Sequence, residues 1–353
     1  MTTQSIATAE PAKIKVGANP SRIPAFDFTK GTLVLFMVLF HWLNYFYGPY
    51  SAIYTYLRFL TPSFIFITGF LISYVHFAKY GLSSPKLSGR LFVRGAKLVA
   101  VFIALNAVIG FLFPLSLVRD MLSGSAGWTS VSAVFVTGLV TSGPAGKAAA
   151  FTILIPIGYL LIVSSLLSMV SRYFKYIFFV VSLAALSWMV ALGSHGTQSA
   201  NLELVTIGLF GVVFGYAPPR AVQKLVDHPW IIVCAYCAYL AAITFWEVSL
   251  YAQMAGACLT TALIYVTGAK AGEKGPVRSR IVLLGRYSLF GYIAQIAILQ
   301  ILRRSLMFVE DGYFVLAASF VAAVALTMTS VELVDYLRRL SNTFDRGYKA
   351  IFA

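Results

Sequence analysis

Few residues in this chain could do chemistry inside an apolar helix, and three of them share one helix. In the stretch FDFTKGTLVLFMVLFHW, residues 26–42, Asp27 and Lys30 stand at the entrance, and His41 follows eleven residues after Lys30 with no charge between. At about 100° per residue, Lys30 and His41 fall about 20° apart and about 16 Å apart along the axis, with Asp27 about 40° off that line. Imidazole is neutral or easily charged near pH 7, and a desolvated site favours its neutral base form. Such a base can take a proton from a hydroxyl or amine attacking a thioester. The same imidazole also suits a plainer role, hydrogen-bonded to a neighbouring helix or resting near the interface beside Trp42. Spacing alone does not choose between the two.

A second cluster lies in GRLFVRGAKLV, residues 89–99. Arg90, Arg94 and Lys97 are spaced by four and three and project from one helical face. Arginine's planar fork suits phosphate recognition; equally, such residues anchor a helix end by snorkelling. Carboxylates are scarce. Glu203 and Glu247 fall near one end of their apolar stretches, and Glu332 and Asp335 near the end of the last. His76, His195 and His228 sit at the edges of apolar stretches and read as interfacial. The cysteines Cys234 and Cys237 have C-x-x-C spacing but lie within an apolar stretch with no second ligand pair; with Cys258 they are expected to be buried and inert, and no metal site is expected.

The elements that must position these residues follow from composition. Of 353 residues, 59% are hydrophobic and 11% charged, and mean hydropathy is +0.83; soluble chains carry about 25% charged residues. Apolar runs of about 20 residues flanked by charge read as membrane helices. The fold class expected is an all-α polytopic membrane bundle of ten spans, near 28–48, 57–78, 91–113, 148–170, 174–193, 201–217, 230–247, 250–268, 281–302 and 313–337. Alternating the connections between two sides puts 22 of the 27 Lys and Arg residues on one of them. That asymmetry predicts cytoplasmic termini and accounts for most of the +15 net charge without a nucleic-acid partner.

Residues 1–23 lack the apolar core of a signal peptide and read as a disordered cytoplasmic tail. Residues 24–340 form one membrane domain and 341–353 a second tail. The long, nearly uncharged stretch 114–147 contains VSAVFVTGLV, too short to span, which suits a re-entrant segment or an interfacial helix equally. GAKAGEKGPVRSR, 268–280, reads as a solvated loop. Gly208, Gly211 and Gly215 in GLFGVVFG suit close helix packing, and there is no Walker A motif.

Several of these motifs together resemble the acyltransferase-3 superfamily of membrane acyltransferases, which includes relatives of heparan-glucosaminide acetyltransferase. Lys30 and His41 match its [R/K]-x10-H pattern, and RIPAFDFTKG matches its R-x4-D-x2-[R/K]-G opening through Arg22, Asp27, Lys30 and Gly31. PSFIFITGFLIS is similar to its second-span signature, with Thr68, Gly69 and Phe70 where Ser-Gly-Phe is usual. Arg94-x-x-Lys97 approximates R-x-x-R, and LLGRYSLFGYIAQ resembles G-[RK]-x-S-L-x-x-Y-x-x-H. Gln295 replaces the last histidine and cannot act as acid or base, Lys97 replaces arginine, and the fourth span lacks the tryptophan often found there.

The resemblance implies acyl transfer from an acyl-CoA, in the first instance acetyl-CoA, bound at the cytoplasmic face of a bacterial inner membrane. Lys30, Arg90, Arg94 and Lys97 would meet its phosphates, its arm would run up the Lys30–His41 stripe, and Arg22 and Asp27 would shape the entrance. The acceptor would be a hydroxyl or amine of a glycan or glycolipid, entering from the outer side past Arg58, Thr61 and Ser63. Direct transfer with His41 as base and a histidyl-acyl intermediate both remain open. Glu247 is the candidate partner of His41, or else an interfacial carboxylate beside Trp246. A proton-coupled secondary transporter built from two repeats of five spans is the alternative, although NLELVTIGLF at the sixth span does not echo FDFTKG.

Overall fold

The computed structural model describes residues 23–47, 53–112, 132–138, 151–174, 176–246, 250–271, 275–306 and 312–352. Among them every regular element is helical. Helix α1 (Pro24–Phe46) is followed by a short α2 (Ile53–Leu57) and by α3 (Leu60–Leu71), which continues through a π-helical segment, Ile72–Phe77, to Tyr80. Then come α4 (Pro85–Leu112), α5 (Leu154–Val170), α6 (Ile177–Ser194), α7 (Ala200–Phe214), α8 (Pro219–Asp227) and α9 (Pro229–Phe245). The last five are α10 (Leu250–Lys270), α11 (Pro276–Arg286), α12 (Ser288–Ser305), α13 (Tyr313–Leu340) and α14 (Asn342–Phe352).

Six of these helical stretches are long and apolar enough to cross a membrane. Two bent pairs, α7 with α8 at 96° and α11 with α12 at 94°, raise the number to eight if each counts as one span. The expectation of ten spans is met only in that an apolar helix occupies each expected stretch. Helices α5 and α9 have 17 residues each, which reaches about 26 Å against a hydrocarbon core of about 30 Å.

Glycines set how closely the helices approach. A Cβ on Gly31 would fall 1.9 Å from the Ile281 carbonyl oxygen, and one on Gly285 would fall 1.7 Å from the Asp27 carbonyl oxygen. Helices α1 and α11 therefore touch backbone to backbone at the basic end of the bundle. Helices α3 and α7 do the same where Gly69 meets the Gly208 carbonyl and Gly211 meets the Phe66 carbonyl. The glycines of GLFGVVFG are packing residues, as small residues in membrane helices generally are.

One apolar cluster joins α3, α4, α5 and α7 around Phe102, Leu160 and Leu209 and reaches α12 through Tyr292. A second joins α1, α3, α12 and α13 around Leu33, Val38 and Leu299, where the Trp42 indole donates to the Ser319 hydroxyl at 2.8 Å. The cysteine expectation is corrected: Cys234 and Cys237 are exposed and Cys258 is half-buried. Helix α9 buries only Ile232, Tyr239 and Ile243, so its remaining apolar surface, both cysteines included, faces outward.

Within VSAVFVTGLV, Ala133–Thr137 forms a π-helical turn held to its neighbours. The Asn201 side-chain amide donates to the Val134 and Phe135 carbonyls, each at 3.0 Å, and the Tyr159 hydroxyl donates to the Phe135 carbonyl at 3.0 Å. Non-helical backbone is tolerated among apolar helices when protein groups satisfy it in this way. The rest of 114–147, apart from residue 132 and Gly138, and residues 272–274 of the glycine-rich loop lie outside the described residues.

Candidate active site

His41 sits one turn before the end of α1, partly buried, between aromatic rings. Its ring centroid is 5.4 Å from Phe40 and 6.1 Å from Tyr292 of α12. Tyr292 in turn lies 6.0 Å from Phe151, edge to face. One turn beyond His41, the Tyr45 hydroxyl accepts a hydrogen bond from the Gln300 side-chain amide at 3.2 Å. Helices α1 and α12 run in the same direction, so α1 presents His41 and Tyr45 to α12, and α12 answers with Tyr292 and Gln300.

The Lys30–His41 stripe is real as geometry but is not a channel. Between the two residues, Val34, Met37 and Val38 are fully buried in the packing against neighbouring helices. At the lower end, Lys30 is bound to Asp27, Nζ to Oδ1 at 2.8 Å. The space lies instead on the far side of Tyr292. Between α4 and α12 a cleft of about 500 Å³ starts beside Lys97 and α14, and continues as a second space of about 390 Å³ toward Arg304 and Ser305. Leu105, Val108 and Ile293 line both parts. Val108 is 55% exposed and Ile301 64% exposed, so the cleft opens sideways, at the apolar surface of the helices. Phe151 and Gln300 line its second part.

Of the four basic residues expected to bind phosphates, only Lys97 borders this cleft. Arg90 donates to the Tyr80 hydroxyl at 2.6 Å, and its guanidinium lies 5.1 Å over the Tyr80 ring. Arg58 is exposed and Thr61 is partly buried, while the fully buried Ser63 hydroxyl donates to the Ala257 carbonyl at 3.4 Å and ties α3 to α10. The structure does not gather those three into one pocket. Arg22 and Glu247 lie outside the described residues. Glu332 and Asp335 are engaged at the basic end, Glu332 with Arg280 and Asp335 with Arg339 and the Tyr287 hydroxyl. Among the described residues no group of three His, Cys, Asp or Glu side chains converges as metal ligands would.

Three parts of the site escaped the sequence. Helix α14 brings Ala350, Ile351 and Phe352 to the mouth of the cleft beside Lys97, pinned by Arg338 to Asp345 at 2.6 Å and by the Arg338 guanidinium 4.3 Å over the Tyr348 ring. Its amphipathic pattern, with Phe344, Tyr348 and Phe352 four residues apart, was the available signal. Phe151 and Gln300 carried none. No family model matches the chain, and no curated protein or solved structure matches it either.

Proposed function

We propose that this chain is an integral membrane acyltransferase that moves an acyl group, in the first instance acetyl, from an acyl-CoA to a hydroxyl or amine of a glycan or glycolipid. The observation that carries the reading is the aromatic contact from His41 through Tyr292 to Phe151, which joins a partly buried imidazole to a cleft with a basic residue at each end. The ordered resemblance of FDFTKG, Lys30-x10-His41 and LLGRYSLFGYIAQ to the acyltransferase-3 superfamily supports the same reading.

In this reading the donor enters at Lys97 and α14, and the acceptor reaches the cleft from the Arg304 end. The imidazole of His41 accepts the acceptor's proton as its oxygen or nitrogen attacks the thioester carbonyl carbon. The tetrahedral intermediate collapses with loss of the C–S bond, and the imidazolium returns the proton to the thiolate. Apolar walls keep water from competing for the acyl group.

The transporter reading draws on the two bent helix pairs, since interrupted helices build transporter sites near the bilayer midplane. Here each bend joins an apolar helix to a short amphipathic one, α8 with Arg220 and Lys224 or α11 with Arg278, Arg280 and Arg286. Short basic helices of this kind belong at the membrane surface, which favours the enzyme reading.

The test is transfer of label from acetyl-CoA by the purified protein in liposomes, supplied with membrane glycolipid as acceptor. His41→Ala should lower the rate about 10²–10⁴-fold at unchanged melting temperature, and Ala297→Trp should block the cleft and lower it as well. Full activity in His41→Ala would sink the role of the imidazole. Proton-coupled solute uptake without any acyl transfer would favour the transporter.

A further inference from the structure

Phe151 combines three properties that seldom occur together. It is the one non-glycine residue with positive φ among the described residues, at 58°. Its side chain is only 4% exposed and belongs to the main apolar cluster. It also lines the second part of the cleft while its ring meets Tyr292, the neighbour of His41. For a bulky side chain the left-handed region is a true outlier, because Cβ is forced against the backbone. Such strain persists only where surrounding structure imposes it, and it concentrates at functional positions.

The local chain shows what imposes it. The Leu154 amide donates to the Phe151 carbonyl at 3.0 Å, so Phe151 makes the turn into α5. Asn, Asp or Gly would make that turn without strain. A phenyl ring there gains only what it packs against, which is Tyr292 and the main apolar cluster at the edge of the cleft.

We propose that Phe151 is the specificity-determining partition between the cleft and His41. Its ring narrows the way from the cleft to the Tyr292–His41 pair, so that a short acyl thioester and the acceptor's hydroxyl or amine meet the imidazole there while longer acyl chains are held back. The acyl-chain part rests on the acyltransferase reading; the partition itself does not, and the experiment separates them.

The partition is tested by carbethoxylation of histidines with diethyl pyrocarbonate on the purified protein, followed by peptide mass spectrometry. The exposed His195 and His228 serve as internal standards. Phe151→Ala should speed modification of His41 about tenfold relative to both standards. Phe151→Gly should do the same and also melt above Phe151→Ala, since glycine relieves the left-handed strain. An unchanged His41 rate in both variants would overturn the partition, as would equal acceleration at His195 and His228, which marks general loosening. The chain-length part is read from transfer with acyl-CoAs of two to sixteen carbons. Wild type should favour the shortest and Phe151→Ala should shift toward longer ones; an unchanged profile removes the specificity role. Absence of transfer from every acyl-CoA in wild type would refute the acyltransferase reading, and with it the chain-length claim, while the labelling ratio still decides the partition.

Discussion

Helix α12 presents two faces that are built differently. One face, with Gly291, Gln295 and Leu299, is packed shut against α1 and α13. The other, with Ile293, Ala297, Ile301 and Arg304, borders a cleft against α4. The packed face and the turn that leads into it hold Gly285, Gly291 and Gln295 of the LLGRYSLFGYIAQ motif, whereas Leu289, Tyr292 and Ile293 pack with the cluster beside the cleft. The cleft face is made of ordinary apolar side chains. The glycines and the amide of the motif mark where helices must meet, and the open volume begins beside its last turn, at Ile293.

The largest effect that would break this contrast is at Gly285, where α11 leads into α12. A methyl group there would fall 1.7 Å from the Asp27 carbonyl oxygen, and the obstacle is backbone that no rotamer change can move. Gly285→Ala should therefore cost more than about 3 kcal/mol, at the upper end for overpacking. The readouts are thermal unfolding in detergent and membrane yield. Ala297→Ser, on the other face, should leave both unchanged. If Gly285→Ala melted like wild type, the two faces would not differ as described.

That asymmetry explains what could be read from the chain. The all-helical fold, the shared side of Lys30 and His41, and the packing role of Gly208 and Gly211 follow from residue type and local period, and the structure agrees with them. The stripe between Lys30 and His41 also looked like a path, because periodicity gives direction along a helix but says nothing about what fills the space beside it. Val34, Met37 and Val38 fill it. The cleft joins residues near 100, 151 and 300, so no local pattern could reveal it. Cys234 and Cys237 were expected inside because they are apolar, but in a bilayer an apolar residue is equally at home facing outward. Ten apolar stretches were legible; α5 and α9, at 17 residues each, stand at the lower limit of length for a span.

Gln295 sharpens the contrast at a smaller scale. It is 0% exposed, and neither its amide nitrogen nor its amide oxygen has a hydrogen-bond partner among the described residues. It lies one turn from both Gly291 and Leu299, on the packed face. A buried amide left unpaired costs about 1–3 kcal/mol, so the apolar near-isostere Gln295→Leu should raise stability by about that amount. An increase in melting temperature with transfer activity retained would mark this face as purely structural. A fall in stability would mean that a bound water or substrate group completes the amide in the working protein.

The smallest effect concerns the mouth of the cleft and is read through pH. Asp345 of α14 accepts hydrogen bonds from Lys349 and Arg338, and these hold its carboxyl below the ordinary aspartate value. A depressed folded-state value means that the carboxylate favours the docked helix at any pH above the unfolded value, about 3.9. The contribution is lost only as pH falls through the still lower docked value. Docking of α14 should thus be flat from neutral pH down to about pH 4 and weaken below it. A spin label at Gly347, exposed on α14, should gain mobility only in that acid range. Asp345→Asn should be more mobile than wild type at neutral pH and show no acid step. Since α14 walls the Lys97 end of the cleft and makes its ring contacts with Tyr287 and Phe290, the same variant should weaken acyl-CoA capture and leave the reactivity of His41 toward diethyl pyrocarbonate unchanged. A change at His41 would show that the cleft mouth and the imidazole are coupled across the Phe151 ring.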